Sequence, residues 1–110
     1  MSEGKVRVII KRPDEQYGHV TNISVRLENL QKTVEGHIET LPCGHHSVIL
    51  CNESGKLIGL EKNFKYGIGF PHDIICGTVI VIGVDPEAED FCDLAFSFKT
   101  WKELLKVWGN

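Results

Sequence analysis

From Lys5 to Lys11 the chain alternates, with Val6, Val8 and Ile10 on one side and Lys5, Arg7, Ile9 and Lys11 on the other. That is the period-2 pattern of a half-buried strand. After the turn-rich Pro13-Asp14-Glu15-Gln16-Tyr17-Gly18, a short second strand is predicted over His19 to Ile23. Leu27, Leu30 and Val34 recur at i, i+3 and i+7, which predicts a helix capped by Ser24 and closed by Gly36. His37 to Leu41 and Ser47 to Cys51 read as two strands joined by a hairpin over Pro42-Cys43-Gly44-His45-His46. Asn52-Glu53-Ser54-Gly55 is the strongest turn signal and is expected to lead into a strand over Lys56 to Gly59. Leu60 to Gly69 lacks clean periodicity and reads as a loop or short irregular helix. Thr78 to Val84 is β-branched almost throughout, as a central strand buried on both faces should be. Thr100-Trp101-Lys102-Glu103 resembles a capping box, and Trp101, Leu104, Leu105 and Trp108 share one side of the helix that follows, with Gly109 at its stop. Core packing, rather than a subunit interface, is the expected use of the two tryptophans. The predicted fold class is α+β: a small mixed, mainly antiparallel sheet of about five to six strands, with one internal and one C-terminal helix.

Composition adds limits rather than new elements. A chain of 110 residues, 42% hydrophobic and 25% charged, matches one ordinary globular domain over residues 1–110. A formal net charge of −3 gives no global attraction to nucleic acid, so direct nucleic-acid binding is not expected. Neither a secretory h-region nor a membrane-length apolar run is present, which predicts a cytoplasmic protein with no membrane partner. In that compartment Cys43, Cys51, Cys76 and Cys92 are expected as free thiols.

Several groupings invite a chemical reading. Lys5, Arg7, Lys11 and Arg12 form a basic stripe, whose ordinary reading is a solvated outer face. Cys43, His45, His46 and Cys51, with Cys76 or His72, supply zinc-type ligands, but strand rise separates the hairpin turn from Cys51 by about 15 Å. No metal and no other cofactor are therefore expected. His72-Asp73 beside Cys51 or Cys76 would be a base, its partner and a nucleophile, yet adjacent residues rarely face each other, and no catalytic residue is assigned. Asp85, Glu87, Glu89, Asp90 and Asp93 place five carboxylates within nine residues. The turn from Asn52 to Lys56 has amides and a lysine able to hold an anion as a backbone nest. Asn63, Tyr66, Phe70 and Asp73 follow, offering amide, stacking and acceptor contacts.

The segments Cys51-Asn52-Glu53-Ser54-Gly55-Lys56-Leu57-Ile58-Gly59-Leu60-Glu61-Lys62-Asn63 and Asp73-Ile74-Ile75-Cys76-Gly77-Thr78 carry a resemblance that reaches back through Leu27 to Glu39. They resemble a family of small phage, conjugative-element and bacterial proteins catalogued as domain of unknown function 3846. The resemblance implies an accessory gene of a mobile element and, by analogy of context, a protein that counters host defence by binding something. The expected function is non-enzymatic sequestration of a small anionic, nucleotide-derived ligand by a homo-oligomer. The ligand-binding residues expected are Asn52, Glu53, Gly55, Lys56, Asn63, Tyr66 and Asp73, assisted by Arg7. The alternative is an inhibitor of a host protein, or a DNA mimic, acting through the acidic 85–93 loop.

Overall fold

The computed structural model describes residues 4–68 and 73–110. In chain order the elements are β1 (Lys5–Lys11), β2 (His19–Ser24), α1 (Leu27–Val34), β3 (Ile38–Pro42), β4 (Ser47–Asn52), β5 (Lys62–Tyr66), β6 (Asp73–Cys76), β7 (Val79–Asp85), β8 (Asp90–Cys92) and α2 (Phe98–Val107). The main sheet runs β2-β1-β7-β4-β3 with β8 also on β7, while β5 and β6 form a separate pair. Every pairing among these strands is antiparallel. The α+β class, the sheet size and the internal and C-terminal helices agree with the sequence pattern. No helix among the described residues is long and apolar enough to cross a membrane.

The β-branched run is the middle of the sheet. Val79, Ile80, Val81 and Ile82 are wholly buried, and their alternation serves both faces. Ile80 and Ile82, with Val8 and Leu50, lie under Leu30 and Val34 of α1. Val79 and Val81, with Ile9, Ile49 and Cys51, lie under Trp101 and Leu105 of α2, under Trp108 at its C-cap and under Phe64 and Ile75 of the β5–β6 pair. The tryptophans are thus core residues: Trp101 is edge-on to Phe64 at 5.8 Å and its indole N–H donates to the Tyr17 carbonyl at 2.9 Å. Burying these aromatic rings is the main force holding the second layer in place.

Local expectations fail where a tertiary contact outweighs them. Ser24 ends β2 and does not cap α1; the residue preceding the helix is Arg26, which makes no side-chain cap. Leu27 is 59% exposed, so the buried stripe is Leu30 and Val34 alone. Glu35, not Gly36, takes the left-handed conformation that ends α1, at φ 66°. Helix α2 begins a turn before the predicted box, with the Ser97 hydroxyl accepting from the Thr100 amide at 3.1 Å. Lys56 to Gly59 is not a strand: the Ile58 amide bonds back to Ser54 and the Leu60 amide to Gly55, which coils the segment. The strand lies later, in the stretch read as a loop. There Phe64 is drawn under Trp101 and stacks on Trp108 at 6.2 Å. The acidic loop likewise closes as a β7–β8 hairpin, with Gly83, Val84 and Asp85 opposite Cys92, Phe91 and Asp90.

Candidate functional site

At the end of β4 the chain leaves the sheet, coils through the 52–59 turns and returns past β6. Between the turn and β6 lies a cavity of about 330 Å³ lined by Glu39, Cys51, Asn52, Glu53, Ser54, Gly55, Lys56, Leu57 and Asp73 to Cys76. A volume near 300 Å³ suits a small ligand. Asn52, Glu53, Gly55, Lys56 and Asp73, all expected in a site, meet here. Arg7, Asn63 and Tyr66 are not among the lining residues. Phe70 and His72 lie outside the described residues.

Asn52 is 7% exposed and holds the helix to the turn. Its side-chain N–H groups donate to the carbonyls of Val34 and Glu35 at 3.1 and 3.0 Å, satisfying acceptors that the end of α1 leaves open. Its side-chain oxygen accepts from the Ser54 amide at 2.8 Å. Gly36 exists for this contact, because a Cβ there would stand 2.7 Å from Asn52 Nδ2. Asn52→Ala is expected to lower stability by about 1–2 kcal/mol through the orphaned carbonyls. A urea melt with an unshifted midpoint would refute that role.

Gly55 is also a close-approach position, since a Cβ would come within 2.9 Å of the Cys76 carbonyl oxygen. The turn amides are engaged internally: Glu53 donates to His37 at 3.0 Å, Ser54 to Asn52, and Gly55 to the Asn52 carbonyl at 3.3 Å. Three amides of the nest that would cradle an anion are therefore taken by the protein's own acceptors.

Lys56 reaches across to Asp73, and this exposed pair bridges the turn and β6. Hydrogen bonding to the Asp73 carboxylate raises the Lys56 ammonium above its ordinary pKa. Glu39 and Glu53 bring the lining carboxylates to three, against the single ammonium of Lys56. Glu39 and the strand Ile74 to Cys76 were not among the expected site residues. Glu39 belongs there because β3 pairs with β4 in a register that sets it opposite Cys51.

Cys51 also lines the cavity, and burial pushes its thiol up to about 11, with Glu39 and Asp73 adding to the effect. The thiol is aimed at the Glu39 carbonyl, 3.7 Å away. A thiol held protonated in this way is a poor nucleophile at neutral pH. All four cysteines are free. Among the described residues, no three His, Cys, Asp or Glu side chains gather as a metal-holding group.

The remaining expected site residues serve the fold. Arg7 lies at the far end of β1, its guanidinium on the Leu94 carbonyl at 2.7 Å. Tyr66 donates its hydroxyl to the Pro42 carbonyl and sets its ring 5.0 Å from Trp108. Asn63 donates to the carbonyls of Lys11 and Gly77 at 2.9 and 2.8 Å, and its oxygen accepts from the Lys11 ammonium. Lys11 itself is 3% exposed, covered by the hairpin rather than lying on a solvated stripe. Desolvation lowers its pKa, against the opposing pull of Glu15 and Asp14.

The acidic 85–93 segment is partly tied down. Asp85 accepts from the Glu87 and Ala88 amides, Asp90 from the Phe91 amide, and Asp93 from the Arg7 amide at 2.8 Å. Glu87, Glu89, Asp90 and Asp93 are all exposed.

A family model described as a domain of unknown function (DUF3846) matches residues 6–106. Neither the search of curated proteins nor the search of solved structures returned a match.

Proposed function

We propose, from the premise that this chain belongs to the DUF3846 family, that it is a non-enzymatic protein that binds a small ligand in the cavity between the 52–57 turn and β6. The observation that carries the reading is the cavity itself, built where Glu53, Lys56 and Asp73 converge. The protonated Cys51 thiol favours binding over nucleophilic chemistry there.

The charge of the lining argues for a ligand other than the anion expected from the sequence. An anion would meet Glu39, Glu53 and Asp73, with the Lys56 ammonium already paired and the Glu53, Ser54 and Gly55 amides engaged. A neutral or cationic ligand rich in hydrogen-bond donors fits these acceptors better, because like charges at close range oppose binding. The anionic nucleotide-derived ligand is the opposing reading. The acidic 85–93 segment supports an inhibitor or DNA mimic less well, since Asp85 and Asp90 hold backbone amides of their own hairpin and Asp93 holds the Arg7 amide of β1.

One variant separates the two signs of charge. Lys56→Ala frees Asp73 and removes a positive charge, so affinity for a polyamine probe should rise by roughly fivefold or less, the modest effect of an exposed, solvent-screened ion pair. Cyclic dinucleotides and cyclic ADP-ribose isomers should bind more weakly to the same variant if the anionic reading holds. Calorimetric titration of wild type and Lys56→Ala with both probe classes decides the matter. Failure of every probe to bind saturably would remove the cavity as a ligand site.

A further inference from the structure

The outer edge of β2 has the features of a strand-pairing surface. In an antiparallel pair, residues alternate between those that bond to the neighbouring strand and those whose amide and carbonyl point away from it. Arg7 fixes the phase. Its amide donates to Asp93 and its carbonyl accepts from the Leu94 amide at 2.8 Å, so both groups face away from β2. Asn22 stands opposite Arg7, and Val20 stands opposite Ile9 two positions on. Hence the backbone groups of Val20 and Asn22 point outward from the sheet, whereas those of Thr21 and Ile23 bond to Val8 and Val6. The Ser24 carbonyl, next in phase, is already occupied by the Asn29 side chain at 2.8 Å.

The two edges of the sheet are protected unequally. β3, at the opposite edge, carries Glu39 and ends in Pro42, a charge and a missing donor that discourage pairing. β2 reads His-Val-Thr-Asn-Ile-Ser, with no Lys, Arg, Asp, Glu or Pro, and Val20 is 44% exposed. Helix α1 packs over β7, β4 and β3 and meets β2 at its last residue, where Asn29 holds the Ser24 carbonyl. An uncharged edge of this kind is a template for another strand.

We propose that the occupant is β2 of a second copy of this chain, paired antiparallel about a two-fold axis at Thr21. In that register Val20 of each copy exchanges backbone hydrogen bonds with Asn22 of the other, and all the outward groups of both residues are satisfied. The arrangement is self-complementary, as a two-fold interface requires, and sets no charged side chain against its own copy. The two sheets become one continuous sheet. This pairing does not depend on the cavity or its ligand.

Sedimentation of the full chain, together with residue-resolved amide exchange, tests the pairing. A dimer is expected in which Val20 and Asn22 amides are slowed at least about tenfold, with that protection lost on dilution. Thr21 and Ile23 should stay protected at every concentration, because they bond within the chain. Asn22→Lys should give a monomer that keeps the Thr21 and Ile23 protection, which shows that the β1–β2 ladder has survived. A monomer at millimolar concentration, or a dimer whose Val20 and Asn22 amides exchange freely, would overturn the proposal. So would protection that appears only after a foreign peptide is added.

Discussion

Asn63→Ala is expected to destabilise the protein by about 3 kcal/mol, the range for losing a hydrogen bond to a buried charged group together with neighbouring acceptors. The side chain joins three parts of the chain at once. It accepts from the Lys11 ammonium at the end of β1, donates back to the Lys11 carbonyl, and donates to Gly77 just before the central strand. Without it, a lysine that is 3% exposed keeps only the Glu15 carbonyl at 2.7 Å and its place 5.6 Å from the Phe64 ring. A buried cation that loses a partner is costly, because water cannot replace the missing acceptor. Lys11→Met removes that charge, so in the Asn63→Ala background it should recover about 1 kcal/mol, seen as coupling in a double-mutant cycle. Urea midpoints of the four proteins measure it. An Asn63→Ala protein of unchanged stability and weakened ligand affinity would instead return Asn63 to the binding site.

The second large effect is a loss of stability in alkali. Burial raises the Cys43 thiol from 9.0 to about 12 and the Cys51 thiol from 9.0 to about 11. Below pH 9 both thiols keep their protons in the folded and unfolded states alike, and stability should not depend on them. Above it, the unfolded chain releases protons that the folded chain retains, so the unfolded state gains. Each thiol then removes up to about 1.4 kcal/mol per pH unit until its folded value is reached. Tyr66, also raised by burial, acts in the same direction at higher pH. Lys11 opposes them: its folded value is lowered from 10.5, so the unfolded chain holds the extra proton in that window and stability rises with pH there. The net expectation from pH 9 to 11 is a fall of a few kcal/mol. In Cys43→Ala/Cys51→Ala that fall should largely vanish. Urea melts in reductant at several pH values provide the comparison, and parallel curves for the two proteins would rule the thiols out.

Both effects involve residues whose type was plain in the sequence and whose surroundings were not. Lys11 sits on the polar side of an alternating strand, and alternation alone assigns it to solvent. That side is instead roofed by β5 and β6, whose pairing was hidden because Leu60 to Gly69 has no clean period. The strand forms there because Phe64 and Tyr66 find Trp101 and Trp108, which lie far along the chain. Asn52 and Asn63 were legible as polar residues at a turn and in a connection, but not as residues whose every side-chain group is taken by the fold. The cavity was legible in part. The turn and Asp73 were marked by their composition, whereas Glu39 joins them only through the β3–β4 register.

The sequence by itself determined the α+β class, the strands β1 to β4, the central position of the 78–84 run and the apolar face of the last helix. Period-2 and period-3.6 burial are local properties, and a chain displays them before it folds. Only the tertiary structure decided which helix covers which face, where the second sheet lies, and which polar groups remain free to meet a ligand. Those outcomes depend on contacts between distant segments, where a buried hydrogen bond or an aromatic pair outweighs local preference. The same dependence exposes β2 at an edge, since a strand's neighbours are fixed by the sheet order and not by its own six residues.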